Sequence, residues 1–327
     1  MAGVVVTVVI PSWNGRHLLC PCLQAVKRQS FTDYEVVVVD NGSIDGTASW
    51  LEKECPWVRV IRTSKNIGFA AAVNLGISES HSRYVATLNN DTEVAPGWLA
   101  ALVEVAENDH QVGMCASTML FADRPQMINS AGISVDRVGI AWDRLGGAEF
   151  DNEESKLMEV FGACAGAALY RRAMLDSIGC FDVDFFAYLE DVDLAWRARA
   201  AGWDCVYVPQ ARVLHRHSAT GGEGSPFKSF HLGRNKVWLI VKNYPFRELY
   251  GYVPLILIYD LAAVTYALLA RLDVYALLGR LAGLAGAIGM WRKRAQCSGS
   301  PSLTTAFLSP LSWPWRIPNR YRHIQAR

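Results

Sequence analysis

Net charge is almost absent from this chain, because 32 Lys and Arg stand against 31 Asp and Glu and leave +1. No basic surface for nucleic acid is expected from that balance. The eight cysteines, Cys20-Pro21-Cys22 among them, show neither zinc-ligand spacing nor a disulfide framework, and read as reduced cytosolic thiols. Missing as well is G-x-G-x-x-G after the first apolar run, which argues against a dinucleotide-dependent oxidoreductase or epimerase. The glycine-rich basic loop that a sugar nucleotidyltransferase would place there is replaced by Ser12-Trp13-Asn14-Gly15. The run from Ala2 to Ile10 has no basic lead and no cleavage region after it, so a strand is expected there and not a signal peptide.

Apolar material is plentiful: 51% of 327 residues are hydrophobic, enough for one large α/β domain with a tail. Val4 to Ile10, Val36 to Val39 and Tyr84 to Leu88 are near-continuous runs of the kind buried on both faces of a parallel sheet. Each ends in polar residues. These ends read Pro11-Ser12-Trp13-Asn14-Gly15, Asp40-Asn41-Gly42-Ser43 and Asn89-Asn90-Asp91, and Asn66-Ile67-Gly68 leads into a small-residue helix over Ala71 to Ile77. Open α/β sheets bind ligands beyond the carboxyl ends of their strands, so these junctions are expected to share one crevice. Plain turn chemistry explains Asn14-Gly15 and Asn41-Gly42 equally well in isolation.

Further on, Asp184, Glu190, Asp191 and Asp193 crowd into ten positions among aromatic neighbours. Like charges so close need a cation, a proton or a catalytic task, or else they are the solvated first turn of a helix. Glu190 to Ala201 has helical composition, Gly202 suits its end, and Cys205 to Val208 reads as a strand closed by Pro209.

Five segments in order, VVIPSWNG, VVVVDNGSIDGT, NIGFAAAVNLGI, LNNDTEV and the stretch from Gly166 to Trp203, continued by VPQARVLH, resemble family 2 inverting glycosyltransferases of the GT-A fold, in their rhamnosyltransferase-like branch. The resemblance implies a mostly parallel central sheet flanked by helices. It implies nucleotide-sugar binding by Pro11, Trp13, Asn14, Asp40, Asn66, Gly68, Asn89, Asn90 and Asp91, with Asp40, Asn14 and Asn66 at the base and ribose. Asn89-Asn90-Asp91 stands in for the family's Asp-x-Asp, with Asn89 replacing the first acid; Asp91 and His215 are the implied ligands of a divalent metal, Mn2+ or Mg2+. His217 competes with His215. Glu190-Asp191 matches the acidic dyad, which makes Asp191 the implied general base and Glu190 its support. Gly162 and Gly166 keep backbone close either to the donor sugar or to a packing neighbour, and Arg171 and Arg172 meet phosphate, solvent or the acids. The implied partners are a nucleotide-diphospho-sugar and a glycan or lipid-linked acceptor. Rhamnose is the implied sugar, another hexose or a non-catalytic glycan binder the alternative.

Two departures from the family pattern stand near the start: Pro21 inside the expected first helix, where a kink follows, and Trp13 in place of a smaller aromatic. The catalytic domain is expected over 1–232, its nucleotide-sugar part at about 1–110 and its acceptor part at about 111–232. A membrane-associating region follows over 233–327. There Tyr252 to Ala270 and Val274 to Trp291 are apolar, but Asp260 and Arg280 interrupt them, each costing about 2.5 to 3.5 kcal/mol at a bilayer centre. Helices lying in the interface are therefore expected ahead of a spanning hairpin. Arg292, Lys293, Arg294 and Arg316, Arg320, Arg322 and Arg327 would grip anionic lipid on the cytoplasmic face.

Overall fold

The computed structural model describes residues 4–151, 156–216, 224–294 and 308–309. His217 and the four arginines from 316 onward lie outside them. The first half alternates strands and helices: β1 (Val6–Ser12), α1 (Arg16–Lys27), β2 (Tyr34–Asp40), α2 (Thr47–Glu54), β3 (Arg59–Arg62), α3 (Phe69–Ser78) and β4 (Tyr84–Leu88). Then come β5 (Thr92–Val94), α4 (Trp98–Asn108), β6 (Val112–Phe121), β7 (Arg124–Ser130), β8 (Ile133–Val135), β9 (Ala141–Asp143), β10 (Met158–Glu159) and β11 (Ala167–Arg171). The last elements are α5 (Arg172–Ile178), α6 (Glu190–Ala200), β12 (Asp204–His215), α7 (Pro226–Asn243), α8 (Phe246–Arg271), α9 (Tyr275–Ala285) and α10 (Ala287–Lys293).

One sheet runs β10-β12-β6-β11-β4-β1-β2-β3, with β5 added on β12 and β7 on β6. Its β4-β1-β2-β3 half is parallel, whereas β11 runs antiparallel between β4 and β6. The parallel half explains why β1, β2 and β4 read as near-continuous apolar runs. Val9, Val37, Val39 and Val85 face a core shared with α3 and α6, while Val8, Ile10, Val36 and Val38 face α1 and α4 on the other side. Small residues let α3 lie close: a Cβ on Gly76 would stand 2.4 Å from Val9 Cγ1.

Helix α1 carries Pro21 inside it, where the first helix was expected. Two expectations are corrected here. The last strand does not stop at Pro209, because β12 runs to His215 through an irregularity between Val208 and Arg212 that absorbs the missing N–H. The apolar stretch from Val274 to Trp291 is two short helices parted at Gly286, where a Cβ would meet Trp238 Nε1 at 2.7 Å. Of the helices among the described residues, only Leu249–Arg271 is long and apolar enough to cross a membrane.

Candidate active site

At the carboxyl end of β2, Asp40 is buried and paired in register with Ser12, the last residue of β1. Its Oδ1 accepts from the Ser43 amide at 3.1 Å, which curls the following loop around it. Asn14, at φ 49°, ties the two loops together: its amide donates to Ser43 Oγ at 2.9 Å and its Oδ1 accepts from the Ile44 amide at 2.8 Å. Trp13 beside it is 42% exposed. The turn at Asn66 is held from the β2 loop. Asn41 Nδ2 donates to Asn66 Oδ1 at 3.1 Å and to the Gly68 carbonyl at 3.2 Å, and Asn41 Oδ1 accepts from the Ile67 amide at 2.9 Å. Pro11 lies inside β1, one position before its last residue.

The loop after β4 joins the same edge. Asn90 Nδ2 donates to Ser12 Oγ at 3.0 Å, and Gly15 allows this approach, since a Cβ there would meet Asn90 Nδ2 at 2.3 Å. Pairing of β5 with β12 sets His215 opposite Thr92, next to Asp91. His215 Nε2 stands 3.3 Å from Asp91 Oδ1, and both side chains are buried. The other ring nitrogen, Nδ1, hydrogen-bonds Asn129 Oδ1 at 2.8 Å, which fixes the ring with Nε2 turned toward Asp91.

Across the edge, the Asn89 amide donates to the Gly166 carbonyl at 2.8 Å, and the neighbouring Ala165 amide donates to Asp191 Oδ2 at 3.1 Å. Asp191 Oδ1 accepts from the Val192 amide at 2.8 Å. Burial lifts the Asp191 carboxyl to about 6; the Ala165 and Val192 amides oppose that rise, and the Asp143 charge from β9 adds to it. Glu190 is lifted well above the carboxylate range by burial and by the Asp191 charge, and its Oε2 is buried without a hydrogen bond. Asp193 goes the other way. Burial pushes it up, but Arg197 Nε at 2.9 Å and Lys242 Nζ at 2.9 Å outweigh burial and hold it below its usual range. The cation-paired Asp193 and the Glu190-Asp191 dyad are thus separated by chemistry within one helix turn.

Other sequence candidates fall elsewhere. Arg171 and Arg172 lie at the opposite end of the sheet, their guanidiniums spent on carbonyls of Val112, Asp109, Ile77, Ser80 and Ser82. Phe185 and Trp196 are core residues, whereas Phe186 and Tyr188 stack near Phe227 at the rim. Gly162 serves packing, because a Cβ would stand 2.4 Å from Ala195 Cβ on α6.

A series of bonded loops therefore runs from the Asp40 loop through Ser12, Asn90 and Asn89 to Ala165 and Asp191, all on one sheet edge. The family model described as glycosyl transferase family 2 matches residues 7–179, which is more than half of the chain and spans this edge up to α5. The chain is a family 2 glycosyltransferase. This glycosyltransferase is 30% identical over 213 residues to the N-acetylglucosaminyl-diphospho-decaprenol L-rhamnosyltransferase of Mycobacterium tuberculosis (strain ATCC 25618 / H37Rv), covering 57% of this chain and 68% of that protein. It is 29% identical over 238 residues to Uncharacterized protein y4gI of Sinorhizobium fredii (strain NBRC 101917 / NGR234), covering 68% of this chain and only 26% of that longer protein. Among solved structures it is similar to GalNAc-T7 with UDP, GalNAc and Mn2+, at a TM-score of 0.62 and 16% identity, over 88% of this chain and 56% of that one. The fold is GT-A.

No group of three or more His, Cys, Asp or Glu able to hold a metal occurs among the described residues of this glycosyltransferase. The donor set at the β4 edge still fits a divalent cation that brings its own oxygens: one buried carboxylate and one oriented imidazole. Sequence reasoning read Asn41 only as part of a turn, and missed Asn129 and Asp143. Asn41 and Asn129 orient other residues by hydrogen bonds; Asp143 sits in a three-residue strand, and only the pairing of β8 with β9 brings it near Gly162.

Proposed function

We propose that this glycosyltransferase moves a sugar from a nucleotide-diphosphate donor to a hydroxyl of a polysaccharide or lipid-linked glycan, with inversion at the anomeric carbon. The observation that carries the reading is Asp191: a carboxyl raised toward neutrality and fixed by the Ala165 amide, one hydrogen-bonded step from the Asn89–Asp91 loop. As the acceptor oxygen bonds to the anomeric carbon, its proton passes to Asp191 and the bond to the diphosphate oxygen breaks. Burial and the Asp191 charge raise Glu190 well above its ordinary value, which favours Asp191 as the charged member of the dyad. Trp13, Asn14, Asp40 and Asn66 hold the base and ribose. A manganese or magnesium ion, held by Asp91 and His215, would neutralise charge on the leaving diphosphate.

Rhamnose from a thymidine diphosphate donor is the favoured sugar, supported by the 30% identical rhamnosyltransferase. Screening nucleotide-sugars for thermal stabilisation, with and without manganese, tests this. The rhamnose donor is expected to raise Tm most, and only with metal. A larger shift with another hexose donor would move the assignment to that sugar, and no shift with any donor would end it.

The acceptor side is proposed to sit on the cytoplasmic face of the membrane. Along α8, Tyr250, Leu257, Ile258, Leu261 and Leu269 are exposed, as are Leu281 and Leu284 on α9. The two interrupting charges turn inward. Asp260 Oδ1 accepts from Arg280 Nε at 2.9 Å and from Lys236 Nζ at 3.0 Å, so these charges neutralise one another between the helices. This supports helices lying in the interface. Lys293 and Arg294 contribute less than expected, because they bind Asp182 and Asp184 and the Val241 carbonyl; Arg292 remains exposed.

A further inference from the structure

The segment just before α6 is strained. Phe186 has φ 64° and ψ −63°, and the Ala187 amide donates to the Phe185 carbonyl at 2.7 Å, which makes Phe185–Ala187 a γ-turn of the rare, unfavourable hand. Tyr188 and Leu189 follow at φ 68° and 66°, in the left-handed region that side chains with a Cβ avoid. Three such residues in four positions do not persist without outside support. Support comes from α7. Asn235, fully buried, points Nδ2 at the carbonyls of Phe185 at 3.0 Å, Ala187 at 2.9 Å and Tyr188 at 2.7 Å. Arg234 Nη2 adds bonds to the carbonyls of Asp184 at 3.1 Å and Phe185 at 2.9 Å, and Arg234 Nε holds Asn235 Oδ1 at 2.9 Å, so the amide is locked with its donors facing the turn.

The same turn reaches the donor side. The Phe186 carbonyl accepts from the Ala70 amide at 3.2 Å, and Gly68 is bare at φ 90° where a Cβ would stand 2.6 Å from the Phe186 ring. Two residues beyond Leu189 lies Asp191. A turn that relaxed to ordinary dihedrals would therefore shift both the start of α6 and the contact with the Gly68 loop.

We propose that Asn235, locked by Arg234, is a positioning residue of the transfer reaction: it holds the strained Phe185–Leu189 turn so that the base on α6 and the donor loop at Gly68–Ala70 keep one fixed relation. The proposal rests on Asp191 being the base. Asn235 touches no reacting atom.

Two substitutions separate a hydrogen-bond clamp from a space-filling residue. Asn235→Ala removes the amide, and Asn235→Asp keeps its shape but sets a carboxylate oxygen against three carbonyls. Both are expected to lower kcat by about 10- to 100-fold with donor KM within about threefold, and to speed amide hydrogen exchange over residues 185–191 by about tenfold relative to the β-sheet. If Asn235→Asp keeps wild-type kcat, or if exchange over 185–191 is unchanged, the clamp is wrong. A fall in kcat matched by an equal loss of donor binding would also overturn it, since that is general damage. Should Asn235→Ala not fold, Arg234→Lys reads the same way: it cannot span both carbonyls, and a kcat drop of about 3- to 10-fold with faster exchange at 185–191 is expected, unchanged values being contrary. Exchange needs no substrate. If Asp191→Asn retains turnover while the Asn235 variants still loosen the turn, the base assignment fails and the clamp on the turn stands without its catalytic role.

Discussion

Ala165 donates its backbone amide to Asp191 Oδ2 at 3.1 Å, and the carbonyl of the very next residue accepts from the Asn89 amide at 2.8 Å. One short piece of backbone thus fixes the proposed base against the proposed diphosphate loop. The antiparallel strand β11, which begins just after it, is what inserts this backbone between the parallel half of the sheet and α6.

That backbone leaves no room behind it. In Gly162→Ala the new methyl would stand 2.4 Å from Ala195 Cβ, so either the strand or α6 must move. Denaturant unfolding is expected to show a loss of about 1 to 3 kcal/mol, as overpacked cores do. An unchanged midpoint would mean that α6 is free to slide.

The dyad sets opposite pH trends for activity and stability. Because Asp191 must be ionised to accept a proton, kcat is expected to rise with pH through about 6 and then level off. Both acids bind protons more tightly in the folded chain than in the unfolded one, so their contribution to stability is full below about pH 4 and is lost as pH rises through the folded values. Glu190→Gln removes one of them. Its Tm is expected to exceed the wild type by a few degrees at about pH 7.5 and to match it near pH 4, by calorimetry.

Asn129 is expected to matter for metal without touching it. It fixes the ring of His215 at 2.8 Å, and loss of such an outer partner typically weakens metal affinity by about 10- to 100-fold. Titration of manganese into Asn129→Ala in the presence of a nucleoside diphosphate checks this; wild-type affinity would remove His215 from the site.

Leu257 and Leu261 are 63% and 69% exposed on α8. Changing both to Ser is expected to leave Tm nearly unchanged, as exposed positions do, while cutting sedimentation with anionic lipid vesicles by at least about tenfold. Equal binding of the double variant would place the lipid contact elsewhere.

Much of this was legible in the sequence, for definite reasons. β1, β2 and β4 are buried on both faces, so Val6 to Ile10, Val36 to Val39 and Tyr84 to Leu88 are apolar but for the buried Thr7 and Thr87, and their polar ends fall along one edge of the sheet. The start of α6 was visible in its acids. What stayed hidden depends on partners distant in sequence. Pro209 looks like a strand end until the irregularity in β12 is seen, and Arg280 looks like a charge in a membrane span until Asp260 is found 2.9 Å away. Lys293 and Arg294 look like a lipid-binding pair, yet Asp182 and the Val241 carbonyl hold them. The strain at Phe186 has no sequence signature, since an aromatic residue is a poor choice for positive φ.

Inversion by Asp191 is tested most directly by comparing Asp191→Asn with the wild type in single-turnover transfer, alongside donor binding with manganese present. A fall in the transfer rate of at least about 100-fold, with the donor Kd within about threefold, is expected of a general base. Near-normal turnover of Asp191→Asn at unchanged donor affinity would contradict the mechanism.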